Sequence, residues 1–80
     1  MAEARQVIAT ISKNQKEEVR VALTEWNGRE FVDVRIYTDL GDSDDLVPTR
    51  KGVSLRLDRL DRLIAALEAA RTEATRRGLL

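Results

Sequence analysis

The dipeptide Asn27-Gly28 constrains this chain more than any other feature. It sits between two runs in which apolar and polar residues alternate, so that the stretch from Glu18 to Thr38 reads as one long hairpin. A type I′ turn needs positive φ at both central positions, which Asn and Gly accept at little cost. A two-residue loop there fixes the register. Trp26 faces Arg29, Leu23 faces Val32, Val21 faces Val34 and Val19 faces Ile36. The last three pairs make one continuous aliphatic face. The other face carries Arg20, Ala22, Thr24 and Trp26 against Arg29, Phe31, Asp33, Arg35 and Tyr37. A slip of one residue would scramble both faces, so the pattern specifies the pairing.

The remaining elements are placed around this hairpin. Residues 1–6 carry no strand pattern and are expected to form a flexible tail. Val7 to Ser12 is short and β-branched, suiting a first strand, with a polar Lys13-Asn14-Gln15 turn behind it. Residues 39–48 form an acidic loop around Gly41 that Pro48 closes. A fourth strand is expected from about Thr49, with Val53, Leu55 and Leu57 on one side and Ser54 and Arg56 on the other. Gly52 inside it signals a bulge or a close backbone approach. From Asp58, a candidate N-cap, the period changes. Leu60, Leu63, Ile64, Leu67 and Ala70 follow the spacing of an amphipathic helix, which Arg76 and Arg77 suit at its end and Gly78 can terminate. The fold class is α+β: one domain over residues 7–77, a four-stranded antiparallel sheet followed by a single helix, with a short tail at 78–80. The helix stripe is expected to cover the aliphatic face.

Composition narrows the function. Eighty residues form one domain with a small core, and chains of this size often gain stability by oligomerising. The alanine-rich flank of the helix suits a second helix packing closely, so a symmetric homodimer is expected. There is no Cys and no His, which removes disulfides, thiolate chemistry, imidazole bases and the usual zinc ligands. The aspartates at 39, 42, 44 and 45 lack the spacing and closing Glu of a calcium loop and read as solvated. Nothing pairs a nucleophile with a base, so no enzyme and no cofactor are expected. No run approaches the length of a membrane span, and no signal-peptide core follows Met1; the chain reads as intracellular, with no membrane partner.

The face opposite the aliphatic strip is the informative one. It holds all three aromatic residues, Trp26, Phe31 and Tyr37, interleaved with Arg20, Arg29 and Arg35. Bases of an unpaired strand stack on rings at about 1–3 kcal/mol each while guanidiniums hold phosphates. Arg50 and Lys51 add two cations beside Gly52, and Lys13 and Lys16 lie near the hairpin base. Arg20 and Arg35 fall directly opposite each other, where like charges repel. An anion between them would relieve the repulsion, and so would Asp33 as an ion-pair partner. The rings equally suit a dimer interface or a second small core.

In order, Trp26-Asn27-Gly28-Arg29, Val32-Asp33-Val34-Arg35 and Pro48-Thr49-Arg50-Lys51-Gly52-Val53-Ser54-Leu55 resemble the single-stranded-DNA-binding domain of the transcriptional coactivator "positive cofactor four", or p-fifteen, in a short bacterial-type version. The resemblance spans about residues 16–70. It implies a strongly curved four-stranded sheet and helix, assembled as a symmetric dimer whose sheet channels bind unpaired DNA largely without sequence preference. By that resemblance Trp26 stands at a stacking aromatic, Arg29 at a turn cation, Arg35 at a strand arginine, and Arg50 and Lys51 at the basic pair before the last strand. Thr38 stands where the family has an aromatic, and Asn27 and Val47 where it has lysines, which implies weaker binding. The serine- and lysine-rich extension of the eukaryotic coactivator is not expected in this short version, so its regulation and coactivator contacts do not carry over.

The expected function is therefore a homodimeric single-stranded-DNA-binding protein acting in transcription or DNA maintenance. RNA stays open as a ligand and the transcription machinery as a partner. Its expected location is the bacterial cytoplasm with the nucleoid, or the nucleus in a eukaryote. The rival is a protein-interaction module of the same fold whose open face takes a protein partner, which the net charge of zero favours.

Overall fold

The computed structural model describes residues 4–41 and 45–80. Four antiparallel strands, β1 (Ala4–Ser12), β2 (Glu17–Trp26), β3 (Arg29–Thr38) and β4 (Val47–Arg56), lie in sequence order in one sheet. A 3-10 turn (Leu57–Arg59) leads into the helix α1 (Leu60–Arg76). The central hairpin has the expected register throughout, from Trp26 opposite Arg29 to Val19 opposite Ile36. Asn27 and Gly28 take φ of 52° and 74°, the left-handed pair that the tight turn requires.

Two irregularities shape the outer strands. β1 begins at Ala4, so residues 4–6 of the expected tail are paired with Leu23, Thr24 and Glu25; residues 1–3 lie outside the described residues. The register shifts between Val7 and Ala9. Because side chains alternate, this bulge sends Arg5 and Val7 to the cationic face with Thr24 and Ala22, and Ala9 and Ile11 to the aliphatic face with Val21 and Val19. In β4 the second shift lies opposite Ile36: Gly52 pairs with Arg35 and Pro48 with Tyr37, leaving Thr49, Arg50 and Lys51 bulged between them. Gly52 is required there. A Cβ at that position would lie 2.5 Å from the Val34 carbonyl oxygen and 2.8 Å from Arg35 Cα.

The helix departs from expectation in two ways. Asp58 is not its cap; residues 57–59 form the 3-10 turn, and the α-helix starts after Arg59 with no side-chain cap bond. At the other end Gly78, at φ 75°, gives a Schellman closure: its N–H donates to Thr75 O and that of Leu79 to Ala74 O. More consequentially, α1 does not cover the aliphatic face of its own chain. Its principal neighbour is the 3-10 turn, and none of its residues is buried. Ile64 and Leu67 are open, as are Leu23 and Val53 on the sheet. Apolar periodicity states that a stripe must be buried but not against which surface, so the stripe stays open while the sheet face is only partly covered, Val32 being buried and Leu23 and Val53 exposed. The buried side chains among the described residues are Ala22, Thr24, Val32, Asp33 and Tyr37. All but Val32 belong to the cationic face.

Candidate nucleic-acid interface

The cationic face is built by alternation along four strands. β2 contributes Arg20 and Trp26, β3 contributes Arg29, Phe31, Arg35 and Tyr37, β4 contributes Ser54 and Arg56, and the β1 bulge adds Arg5. Strands of ten residues give this row a length of about 34 Å. At the hairpin tip Trp26 is 56 % exposed and Arg29 is open beside it, with Phe31 half-buried next to Arg56. At the opposite end the β4 bulge carries Arg50 and Lys51, both exposed. Lys13 and Lys16 lie in the β1–β2 turn at that same end, where Lys13 Nζ bonds Glu17 Oε1 at 2.9 Å. The Lys13 and Asn14 side chains hold the Glu17 carboxyl below its ordinary value, and the charge of Lys51 acts on it in the same sense.

The middle of the row resolves the opposed arginines. Arg20 and Arg35 are directly opposite, as the register requires, but no anion is needed between them because each has its own carboxylate. Arg20 Nε donates to Glu18 at 2.5 Å, and its guanidinium lies over the Tyr37 ring, 4.3 Å from the centroid. Arg35 donates to Asp33 through Nε at 3.1 Å and Nη2 at 2.9 Å, and through Nη1 to Thr49 O at 3.0 Å. Residues two apart on a strand share a face, which puts both carboxylates within reach of their arginines. The bond to Thr49 O also ties Arg35 to the bulge that presents Arg50 and Lys51. Thr49 Oγ1 fixes that bulge further, donating to Ile36 O and accepting from Lys51 N–H.

Tyr37 is displaced from the stacking role given to it by the sequence. It is 6 % exposed, Arg20 covers its ring, and its hydroxyl accepts from Arg5 Nη1 at 3.0 Å. Trp26 and, in part, Phe31 keep rings that a base can reach. Arg5 is the residue that sequence reasoning missed. It also donates to Asp33 Oδ2 at 3.2 Å, so one carboxylate joins β1 to β3. Burial pushes the Asp33 carboxyl up, but the hydrogen bonds and charges of Arg35 and Arg5 outweigh burial and hold it below its ordinary range. Asp33 in turn raises the pKa of the Arg35 guanidinium against the effect of burial. The only sequence signal for Arg5 is the β-bulge, which a short strand without strict alternation does not announce. In the acidic loop, Asp39 Oδ1 accepts from Gly41 N–H at 2.7 Å; Asp42 and Asp44 lie outside the described residues.

Comparison with known proteins agrees with this geometry. The profile of the family described as Transcriptional Coactivator p15 (PC4) matches residues 13–66. Among solved structures, a PC4 homolog from Burkholderia pseudomallei in an orthorhombic crystal form superposes with a TM-score of 0.77 at 35 % identity, covering 82 % of this chain and 88 % of that one. A bacteriophage T5 homolog of the eukaryotic coactivator PC4, implicated in recombination-dependent DNA replication, gives 0.72 at 25 % identity over 89 % and 81 % of the two chains. MoSub1, solved in a complex with single-stranded DNA, gives 0.63 at 25 % identity over 86 % and 78 %. No curated protein matches the sequence. The sheet order, the single C-terminal helix and the matched span agree, and the chain belongs to the Transcriptional Coactivator p15 (PC4) family.

Proposed function

We propose that the protein is a homodimer that binds single-stranded DNA, largely without sequence preference, in transcription or DNA maintenance. The observation that carries this reading is the exposed Trp26 ring on the same sheet face as Arg29, Arg20, Arg35 and Arg56. A sheet surface that offers a ring for stacking and guanidiniums for phosphates suits an unpaired strand, whose bases are free to turn onto it. The MoSub1 complex supports the ligand class. Arg20, Arg29, Arg35, Arg50 and Lys51 are the proposed phosphate contacts, Arg20 and Arg35 each beside a carboxylate of the same face, with Lys13 and Lys16 of the β1–β2 turn secondary. Such a protein works beside the nucleoid of a bacterial cell, or in the nucleus of a eukaryotic one; among the described residues no helix is long and apolar enough to cross a membrane.

Exposed area supports the dimer. A compact chain of 9.1 kDa exposes about 4,900 Å². This chain exposes 6475 Å², with Ile64 and Leu67 of the helix stripe and Leu23 and Val53 of the aliphatic sheet face open. Its radius of gyration is 14.9 Å where a compact domain of this length has about 12 Å. Covering that excess with a second copy would bury roughly 3,000 Å² in total, the range of obligate homodimers. The aliphatic side then supplies the dimer and the cationic side stays outward. The test is fluorescence anisotropy with labelled oligothymidine, a duplex and an RNA of equal length at two salt concentrations. Saturable binding that favours the unpaired strand and weakens with salt is expected. A protein that binds none of the three, or duplex as tightly as single strand, contradicts the proposal and leaves the protein-interaction reading.

A further inference from the structure

We propose that in the homodimer each α1 lies on the aliphatic sheet face of the other copy, and that its Arg71 seats between the partner's Glu25 and the partner's Glu30. The inference rests on the homodimer reading and adds to it the surface each helix meets and the charge that fixes its position there.

The apolar stripe of α1 has a cation in its middle. At about 3.6 residues per turn Arg71 projects between Leu60 and Ile64, and it follows Leu67 by one turn. Arg62 and Arg76, the other arginines of α1, project away from the stripe. The carboxylate nearest to Arg71 on the helix is that of Glu68 at 4.0 Å, the outer limit of an ion pair, and both side chains lie largely in solvent. A helix that buried its stripe on plain hydrocarbon would strand this charge.

The aliphatic sheet face carries the opposite defect. At the hairpin tip it ends in Glu25 and Glu30, which stand directly opposite each other, and like charges so placed repel. Arg20 and Arg35 each have a carboxylate beside them; Glu25 and Glu30 are exposed and have no hydrogen bond or ion pair among the described residues. They border a hollow of about 310 Å³ whose lining includes Ala4, Leu23 and Leu57. One guanidinium there faces both carboxylates, and its planar fork can donate to each.

The spacing fits. Along the helix Arg71 lies about 10.5 Å from Ile64. Along β2 Glu25 lies about 13.5 Å from Val21, and the arginine stem spans the difference. A helix laid along β2 therefore sets Ile64 over Val21 and Leu67 near Leu23 while Arg71 reaches the tip. Within its own chain α1 meets chiefly the 3-10 turn. A second copy is the occupant that the charges select, because every copy carries both features and a two-fold pairing satisfies both contacts at once. The roughly 3,000 Å² that such a pairing has to cover is the size of an obligate interface.

Sedimentation equilibrium separates this contact from the dimer itself. The samples are the unaltered chain, Arg71→Glu, the double variant Glu25→Lys with Glu30→Lys, and an equimolar mixture of the two variants. Each variant alone sets like charges against each other at both contacts of its dimer, so its dimer Kd is expected to rise about tenfold or more. In the mixture every contact again joins opposite charges, and a heterodimer close to the unaltered affinity is expected. A chain carrying all three substitutions exchanges the charges within one molecule and should also dimerise. If either charge-reversed variant fails to fold on its own by circular dichroism, that triple variant decides. A charge-reversed variant that dimerises as tightly as the unaltered protein, or a mixture and a triple variant that do not recover the dimer, overturns the proposal. An unaltered protein that sediments as a monomer would instead overturn the homodimer reading, and this contact with it, leaving the stripe and the sheet face to another protein.

Discussion

Replacing Gly52 by alanine tests how the sheet holds its basic bulge. The added Cβ would lie 2.5 Å from Val34 O, 2.8 Å from Arg35 Cα and 3.1 Å from Arg35 Cβ, where ordinary contact begins at 3.4 Å. The two nearest atoms are backbone of a strand paired on both sides, so β4 must retreat by about an ångström at the point where it pairs with Arg35. Overpacking of this kind costs about 1–3 kcal/mol, and in a domain of this size each kcal/mol lowers Tm by about 4–8 °C. A fall of roughly 5–20 °C is expected by circular dichroism at one fixed protein concentration, since the melting of a dimer depends on concentration. Retreat of β4 also lengthens the 3.0 Å bond from Arg35 Nη1 to Thr49 O, loosening Arg50 and Lys51, so affinity for oligothymidine falls as well. Ser54→Ala, two residues on and facing the same way, is the control and should stay within about 0.5 kcal/mol. If Gly52→Ala melts within about 2 °C of the unaltered protein, the close approach does not exist and the argument for the braced bulge falls.

Three further outcomes are expected. Trp26 is the sole tryptophan, so its fluorescence should be quenched at saturation with oligothymidine, and Trp26→Ala should lose about 1–3 kcal/mol of binding; no quenching removes the ring from the site. The Asp33 carboxyl titrates below 3.8 in the folded protein, so its contribution to stability is complete above that range and is lost as pH falls through the depressed value; the gap in Tm between the unaltered protein and Asp33→Asn should narrow from neutral pH to about pH 3, and a constant gap would refute the ion-pair assignment. Leu67 is open on the helix, so Leu67→Glu should leave a monomer unaffected but dissociate a dimer that buries the stripe; equal sedimentation of the two proteins would show that the stripe is not the interface.

What the sequence made legible was whatever local chemistry decides. Asn27-Gly28 set every pair of the central hairpin, the alternation of Val53 and Leu55 with Ser54 and Arg56 set the faces of β4, and Gly52 and Gly78 each marked a real backbone demand. What it hid depended on events at a distance. The bulge in β1 leaves no periodic trace, and with it went Arg5 and the strand residues before Val7. The leucine stripe of α1 does not say whose apolar surface it meets. Tyr37 read as a ring for bases because alternation gives its face but not the two arginines that close over it. Asp33 was legible as the partner of Arg35, and the Glu18–Arg20 pair was within the same reach, since residues two apart on a strand put opposite charges side by side.

The account depends on the cationic side of the sheet being where an unpaired strand lies. A solution NMR titration with unlabelled oligothymidine locates that strand directly. Shifts are expected at the Trp26 indole N–H, the Arg35 Nε–H and the amides of Ser54 and Lys51, with the side chains of Leu67 and Val53 unmoved. Shifts confined to α1 and the aliphatic side, with the indole and guanidinium signals unchanged, would contradict it.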